Sequence, residues 1–339
     1  MEKKLKLGII GAGRIGKLHA ENVIKNIKGF EVKSIADVYA DAVLDWANSL
    51  GIKNVYSDYM DILNDPEIDA VMICSSTNTH SKISIEAANA GKHIFCEKPI
   101  ALDLDKIKDA LRAVEKAGVK FQVGFNRRYD HNFKRVQELV KDGRIGDVHI
   151  IKVTSRDPAP PPAEYVKVSG GMFLDMTIHD FDMVRYLSGS EVEEVYTAAA
   201  VLVDPAIGEA GDVDTAIITL KFKNGAIGVI DNSRKAAYGY DQRVEVFGSK
   251  GCITVSNDTP SSAVLSTQEG VYSDKPKYFF LERYKDSFID EIKCFYDAIA
   301  NDTQPPVTGI DGLKPVLIAL AAKKSLIEGR PVKIEEVEK

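Results

Sequence analysis

Short apolar runs alternate with helical patterns along the first part of the chain. Five runs are apolar and β-branched enough to form buried strands: 5–10, 30–36, 70–74, 92–96 and 119–123. The helical patterns that stand between them cover 15–26, 80–90 and 103–117. Strands that alternate with helices in this way predict a doubly wound parallel β-sheet.

The pattern changes from Asp147 onward. The strand-like runs there are 147–154, 192–203, 213–222, 226–232, 242–247 and 253–255. Asn224-Gly225 stands between two of them and marks a hairpin, and no long helical segment interrupts the later runs. We therefore expect an α/β domain with a large, open, mostly antiparallel sheet, followed by two closing helices at 287–300 and 313–328.

One strand of this second sheet has an apolar face and a second face that is only moderately polar. The apolar face carries Ala216, Ile218, Leu220 and Phe222, whereas the other face carries Val213, Thr215, Ile217 and Thr219. A sheet with two such faces is unsuited to full exposure. Either helices cover both sides, or a second subunit covers one, and we expect a homo-oligomer, a dimer or a tetramer, formed through this sheet.

Length and composition restrict the class of protein. A chain of 339 residues exceeds what one hydrophobic core usually organises, so we expect two domains, 1–123 and 124–339. Its 45% of hydrophobic and 28% of charged residues are typical of a globular enzyme. The net charge of -6 is spread along the chain without a long Lys/Arg run, so nucleic acid is not an expected partner.

The expected location is the cytoplasm. No stretch of about eighteen apolar residues is present, and the apolar stretch near the start is short and interrupted by glycines, so neither a membrane span nor a signal peptide is indicated. The four cysteines are far apart and form no C-x-x-C pair, which argues against a zinc site and a disulfide framework.

The first predicted strand runs into a glycine-rich turn. Gly11, Gly13 and Gly16 form a G-x-G-x-x-G motif that opens a helix, and Asp37 ends the second strand 21 residues beyond Gly16. By itself the motif could be a tight corner, but in this context it is typical of dinucleotide binding. An acid at Asp37 accepts hydrogen bonds from ribose hydroxyls and repels a 2'-phosphate, which predicts NAD rather than NADP.

Polar residues follow the next two strands of the parallel sheet. Ligands bind beyond the carboxyl ends of such strands, where Ser76, Asn78 and the turn Glu97-Lys98-Pro99 fall. Ser76 and Asn78 could equally cap the next helix. Lys98 leaves a buried strand near the expected nicotinamide, although a surface ion pair with Glu97 is the alternative.

Three segments together resemble one family of oxidoreductases. They are the glycine motif, the Cys-Glu97-Lys98-Pro99 turn, and the run Gly170-Gly171-Met-Phe-Leu-Asp175-Met-Thr-Ile-His179-Asp180. They look like the glucose-fructose oxidoreductase, inositol dehydrogenase and rhizopine-catabolism (Gfo/Idh/MocA) family, and the likeness covers nearly the whole chain. Within that family the chain most resembles inositol 2-dehydrogenase, through the segments 124–130, 155–158, 237–241 and 244–248. Asp157 stands where some inositol dehydrogenases carry asparagine.

The resemblance implies a Rossmann domain, a second domain with an open sheet, NAD as cofactor and a group of Lys98, Asp175 and His179 at the reacting carbon. The residues expected to contact NAD are Gly11, Gly13, Arg14, Ile15, Gly16, Asp37, Ser76, Asn78, His80, Glu97 and Lys98. Those expected to contact the substrate are Arg127, Asp157, Asp175, His179 and Tyr238.

The expected reaction is NAD-dependent oxidation of a secondary hydroxyl of a cyclic polyol or sugar, with myo-inositol converted to 2-keto-myo-inositol. We expect Asp175 and His179, four residues apart, to share one face of a single helix that ends near Gly189. His179 then removes the hydroxyl proton while Lys98 stabilises the oxygen, although Lys98 could instead be the final proton acceptor.

Alternatives remain at several positions. Arg127, Asp157 and Tyr238 could serve packing or salt bridges instead of the substrate. Asp175, His179, Asp180 and Asp182 could be read as metal ligands, but hydride chemistry needs no metal and none is expected. Other possible functions are a dehydrogenase or oxidoreductase of another sugar, aminosugar or nucleotide sugar, and a non-catalytic sensor that responds to NAD.

Overall fold

The computed structural model describes residues 4–338, and its internal contacts divide the chain into two compact units. The first unit comprises the residues up to Asn126 together with Asp286–Lys314. The second comprises Arg127–Lys285 and the residues from Pro315 onward.

The first unit is built on parallel strands joined by helices. Its strands are β1 (Leu5–Ile10), β2 (Phe30–Ala36), β3 (Asn54–Tyr56), β4 (Ala70–Ile73), β5 (His93–Glu97) and β6 (Phe121–Gly124). The helices that precede β6 in the chain are α1 (Arg14–Asn26), α2 (Ala40–Ser49), α3 (Met60–Leu63), α4 (Thr77–Asn89) and α5 (Leu104–Ala117). The strands form one parallel sheet in the order β3-β2-β1-β4-β5-β6, so the predicted doubly wound sheet is confirmed.

The helix α12 (Lys285–Ala300) packs in the core of this first unit. Its Ile292 and Phe295 are fully buried, and the Phe295 ring lies 6.0 Å from those of Phe30 and Phe95. The expected division at residue 123 assigned α12 to the second domain. Its place here depends on contacts of Phe295 with Phe95 and Phe30, which precede it by 200 and 265 positions, and no local sequence pattern shows such contacts.

The second unit contains the remaining elements of regular structure. Its strands are β7 (Val148–Arg156), β8 (Val192–Ala200), β9 (Thr215–Phe222), β10 (Ile227–Ser233), β11 (Asp241–Gly248), β12 (Gly251–Val255), β13 (Val264–Ser266), β14 (Val271–Ser273) and β15 (Val332–Lys333). Its helices are α6 (His131–Lys141), α7 (Ala163–Ser169), α8 (Gly171–Asp175), α9 (Ile178–Ser188), α10 (Pro205–Glu209) and α11 (Phe280–Arg283). The boundary with the first unit falls inside α13 (Gly309–Glu328).

Seven strands form the main sheet of this unit, in the order β12-β11-β7-β10-β9-β8-β15. Only the β7–β10 pair is parallel among the described strands of this sheet, so the mostly antiparallel prediction is confirmed. Ala216, Ile218, Leu220 and Phe222 are buried, as their alternation predicts, whereas Ile217 on the opposite face is 45% exposed.

The prediction of one continuous helix through Asp175 and His179 is wrong. Asp175 is the last residue of α8, and His179 lies in the first turn of α9. The break has a physical cause at Thr177. Its amide donates to the carbonyl of Met172, five residues back, and its hydroxyl donates to Asn232 Oδ1 at 2.6 Å, so the regular helical ladder is interrupted. The predicted end of α9 at Gly189 is correct.

A membrane span was not expected. No helix within residues 4–338 is both long and apolar enough to cross a bilayer.

Candidate active site

The glycine turn after β1 has the space and the geometry that a dinucleotide requires. Gly11 has a φ of +94°, and a Cβ there would lie 2.6 Å from the Ser75 amide nitrogen. A Cβ on Gly16 would lie 1.9 Å from the Gly11 carbonyl oxygen, so the helix packs closely on the turn. A Cβ on Gly13 would meet open space, which leaves room for a pyrophosphate at the N-terminus of α1.

Asp37 lies beside this turn, as the sequence predicts. Its Oδ2 accepts a hydrogen bond from the Ala12 amide at 2.7 Å, and its Oδ1 accepts one from the Tyr39 amide at 2.9 Å. The carboxylate is only partly buried, and each oxygen keeps a second lone pair for a hydroxyl. The glycine turn and the acid are therefore brought together, and the contact of Asp37 with an adenosine ribose stays a prediction.

Of the other expected NAD contacts, Arg14 and Ile15 begin α1, whereas the rest lie on or near the loops after β4 and β5. Arg14, Ser76 and Asn78 are exposed, and Ile15 and Lys98 are partly buried. His80 is buried, with its ring nitrogens 2.8 Å from the Pro99 carbonyl oxygen and 3.0 Å from that of Ser75. The imidazole of His80 therefore joins the two loops, and its expected contact with the cofactor stays a prediction.

Glu97 belongs to a buried cluster that the sequence analysis missed. Its Oε1 lies 2.7 Å from His19 Nε2 of α1, and Glu291 Oε1 of α12 lies 3.9 Å from the same nitrogen. His19 and Glu291 are fully buried, and neither carboxylate oxygen of Glu291 has a hydrogen-bond partner among the described residues. Burial, and next the charge of Glu97, raises the pKa of Glu291 well above its usual value, which favours the neutral form of its carboxyl.

A metal ion is a poor fit for this cluster. The possible ligand atoms of His19, Glu97 and Glu291 lie within 4.8 Å of one another. However, two ligands of one tetrahedral zinc ion stand about 3.3 Å apart, whereas His19 Nε2 and Glu97 Oε1 are at hydrogen-bonding distance. A hydrogen-bonded histidine and carboxylate beside a neutral carboxyl accounts for the arrangement.

In the second unit, Asp175 and His179 stand out from their surroundings. Every residue from Met172 to Arg185 is buried except these two, which are partly exposed. The short helices α8 and α9 therefore present one acid and one imidazole from a segment that is otherwise interior. Tyr165 donates a hydrogen bond to Asp175 Oδ1 at 3.0 Å.

Arg234, at the end of β10, connects two of the expected substrate residues. Its Nη1 donates to Asp157 Oδ2 at 3.3 Å, and its Nη2 donates to Asp175 Oδ2 at 3.2 Å. Burial lowers the pKa of Arg234, but Asp175 and Asp157 outweigh it and leave the pKa raised, so the guanidinium is charged. The sequence analysis missed Arg234. Its place directly after β10, which matches the place of Asp157 directly after β7, was a signal that could have identified it.

Arg127 lies in a separate buried network. Its Nη1 donates to Asp180 Oδ1 at 2.6 Å, and its Nη2 donates to the hydroxyl of Tyr240 at 3.3 Å. Asp182 similarly accepts two hydrogen bonds from Arg128. Two of the three acids that could have been metal ligands with His179, namely Asp180 and Asp182, therefore pair with buried or nearly buried arginines.

Tyr238 lies among charged residues at the end of the main sheet. Its hydroxyl donates to Asp241 Oδ2 at 2.5 Å and accepts from Arg156 at 3.1 Å. Its side chain is 42% exposed. The expected substrate contacts of Arg127 and Tyr238 stay predictions.

The fold and the glycine turn define an NAD-binding oxidoreductase. A family model described as "Oxidoreductase family, NAD-binding Rossmann fold" matches residues 5–125, and one described as "GFO/IDH/MocA C-terminal domain" matches residues 133–254. The chain therefore belongs to the GFO/IDH/MocA family, and the resemblance seen in its motifs is confirmed.

Several members of this family are similar over their whole length. A myo-inositol 2-dehydrogenase of Thermotoga maritima is 52% identical, over 98% of this chain and 99% of that protein. An inositol 2-dehydrogenase of Rhizobium meliloti is 44% identical, over 97% and 99% respectively. A solved scyllo-inositol dehydrogenase from Lactobacillus casei, with bound NAD(H) and scyllo-inositol, is 32% identical with a TM-score of 0.92, over 98% of this chain and 100% of that chain.

Glu291→Gln tests the neutral state of the buried carboxyl. A pKa raised above the unfolded value of 4.5 gives a stabilisation that is complete at low pH and is lost as pH rises through the folded-state pKa. We expect the free energy of unfolding of the wild type to fall with pH, relative to the variant, by up to about 1.4 kcal/mol per pH unit. Urea titrations followed by the fluorescence of Trp46, the single tryptophan, which packs on the first unit's core, measure both curves.

Asp290→Asn is the matched control, because Asp290 is the exposed neighbour of Glu291 on α12. Its curve should run parallel to that of the wild type. If Glu291→Gln also ran parallel to the wild type, Glu291 would not be held neutral.

Asp37→Ser tests the adenosine site. Removing the carboxylate removes the repulsion of a 2'-phosphate, so we expect the ratio of kcat/KM with NADP to that with NAD to rise about tenfold. Asp41→Ser, which removes an exposed acid from the first turn of α2, should leave the ratio unchanged. An unchanged ratio in Asp37→Ser would refute the assigned role.

Proposed function

We propose that this protein oxidises myo-inositol to 2-keto-myo-inositol with NAD as the hydride acceptor. Two family members named for inositol oxidation are 52% and 44% identical over almost the full chain, which supports this substrate. The observation that carries the proposal is local to the second unit. The segment from Met172 to Arg185, which contains the end of α8 and most of α9, is buried except at Asp175 and His179, which are partly exposed.

The residue types suit removal of a hydride and a proton from one secondary alcohol. The substrate carbon gives its hydride to NAD, and the hydroxyl gives up its proton, so a ketone, NADH and one proton result. His179 is the proposed base, because a neutral imidazole accepts a proton near neutral pH. Lys98 is proposed to stabilise the negative charge that develops on the oxygen, and Asp175 to orient the hydroxyl or His179.

The first unit contributes the glycine turn and Asp37, which have the space and the hydrogen-bonding groups for the dinucleotide. Its Lys98 directly follows β5, next to the Glu97 carboxylate that His19 holds. Because the preceding residue Glu97 is held in place, the backbone of Lys98 has a defined position. A lysine on a defined backbone is better suited to place its charge at a ligand than a lysine on a mobile surface loop.

A reducing cytoplasm is the proposed location. Cys74, Cys96, Cys252 and Cys294 are free thiols, which fits a compartment in which disulfides do not form.

A homo-oligomer formed through the main sheet of the second unit is also proposed. Three apolar side chains lie in one row across its outer face: Phe247 of β11, Ile150 of β7 and Ile227 of β10. Phe247 is 44% and Ile227 51% exposed. Covering such a row with a second copy removes apolar surface from water.

Turnover of a polyol panel tests the function. We expect NAD reduction with myo-inositol and weaker or no reduction with glucose, galactose or nucleotide sugars, measured as NADH absorbance. His179→Ala should lower kcat by about 10² to 10⁴ and leave NADH affinity nearly unchanged, because only proton transfer is lost. No turnover with any member of the panel would favour the alternative of a sensor that binds NAD without chemistry.

Light scattering tests the oligomer. We expect the wild type to have two or four times the chain mass of 37.2 kDa, and Ile227→Lys to shift the population toward the monomer. Asn224→Lys places the same charge in the exposed hairpin turn beside it and should leave the mass unchanged. A wild-type monomer at working concentration would refute the proposal.

A further inference from the structure

We propose that Arg234 is a positioning residue that sets which polyol isomer is accepted, because it holds Asp157 and Asp175 side by side as paired acceptors of substrate hydroxyl groups. The inference rests on the proposed function, since it concerns the same substrate site. It adds a residue that neither the motifs nor the family match assigns to that site.

Exposure separates the arginine from the two acids that it contacts. The side chain of Arg234 is 4% exposed, whereas those of Asp157 and Asp175 are 23% and 16% exposed. The guanidinium is therefore more deeply buried than the two carboxylates, so the acids are more accessible to a ligand than the arginine is.

One guanidinium fixes the spacing of both acids. Its two terminal nitrogens each donate to a different carboxylate, Nη1 to Asp157 and Nη2 to Asp175. The rigid planar fork of an arginine brings such partners close to each other, which a flexible lysine ammonium does not do. Neighbouring hydroxyls of a ring are similarly close, so two acceptors held in this way suit two adjacent hydroxyl donors.

Hydrogen bonds also hold the backbone around Arg234, so the position from which its guanidinium extends is defined. The Arg234 amide donates to the carbonyl of Asp214 at 2.8 Å. The Asp157 amide donates to the Ser233 carbonyl at 2.9 Å, and the Ala236 amide donates to the Asp157 carbonyl. The arginine and Asp157 are therefore tied together through the main chain as well as through their side chains.

The positive charge of Arg234 also acts on the protonation of Asp157. Burial raises the pKa of Asp157, Arg234 opposes that rise, and the nearby charge of Asp175 adds to it. A protonated Asp157 would donate a hydrogen bond where an ionised one accepts, which changes the hydroxyl orientation that fits. Arg234 thus favours the ionised state, in which Asp157 accepts.

The role differs from that of the other buried arginines of this unit. Arg127 and Arg128 pair with Asp180 and Asp182, which are fully buried or nearly so and cannot meet a ligand. Arg185 pairs with Glu191 away from the predicted site residues. Among the ion pairs described here for these arginines, only those of Arg234 join two acids that are expected from the sequence to contact the substrate.

The test compares myo-inositol with scyllo-inositol, which differ only in the orientation of one hydroxyl. For the wild type, Asp157→Asn and Arg234→Lys, kcat and KM are measured with each isomer at saturating NAD. In Asp157→Asn an amide can donate where a carboxylate only accepts, so we expect the ratio of the two kcat/KM values to change by at least about tenfold, mainly through KM. Arg234→Lys should shift the ratio in the same direction, because one point charge cannot hold both acids.

Arg185→Lys is the matched control, since it also replaces a buried guanidinium that makes two contacts to a carboxylate. It should leave the isomer ratio unchanged. If Arg234→Lys does not fold, the double variant Asp157→Asn with Arg234→Gln removes one charge of each sign. It should fold and keep the changed ratio of Asp157→Asn.

The inference would be overturned if Asp157→Asn and every folded Arg234 variant changed kcat/KM by the same factor for both isomers. Arg234 would then have only a structural role in its ion pairs. The wild type separates this outcome from failure of the proposed function. A wild type that oxidises neither isomer refutes the proposed substrate, whereas a wild type that oxidises at least one of them allows the ratio to decide the role of Arg234.

Discussion

Burying a charge inside a protein costs several kcal/mol unless a partner compensates it, and this constraint decides which side chains remain for chemistry. In the second unit Arg127 is paired with Asp180, and Arg128 with Asp182. In the first unit burial raises the pKa of Glu291, which favours the neutral form of this carboxyl over a buried charge. Once these groups have been accounted for, few polar side chains near α8 and α9 are left to meet a ligand.

The two units use their loops in different ways. The first unit forms its dinucleotide site largely from main-chain geometry, because Gly11 needs a positive φ and Gly16 tolerates no Cβ. The second unit relies on side chains that are held by other side chains, as Arg234 holds Asp157 and Asp175. A site made of backbone is visible as a motif, whereas a site made of side-chain pairs is not.

This difference explains what could be predicted from the sequence. The parallel sheet, the glycine turn, Asp37 and the alternation along β9 follow from local patterns, and the structure has all of them. The packing of α12 with the first unit and the pairing of Arg234 join residues far apart in the chain, so no local pattern marks them. The break between α8 and α9 depends on a hydrogen bond from Thr177 to Asn232, 55 positions away.

The mutual dependence of Arg234 and its two acids has an evolutionary consequence. Losing the arginine alone leaves two neighbouring negative charges, and losing one acid alone leaves a buried cation with half of its compensation. Each single step therefore passes through a less stable protein, so drift at these positions should occur as coordinated exchanges. A lineage that adopts a neutral residue at 157 would be under pressure to replace the arginine at 234 soon afterwards.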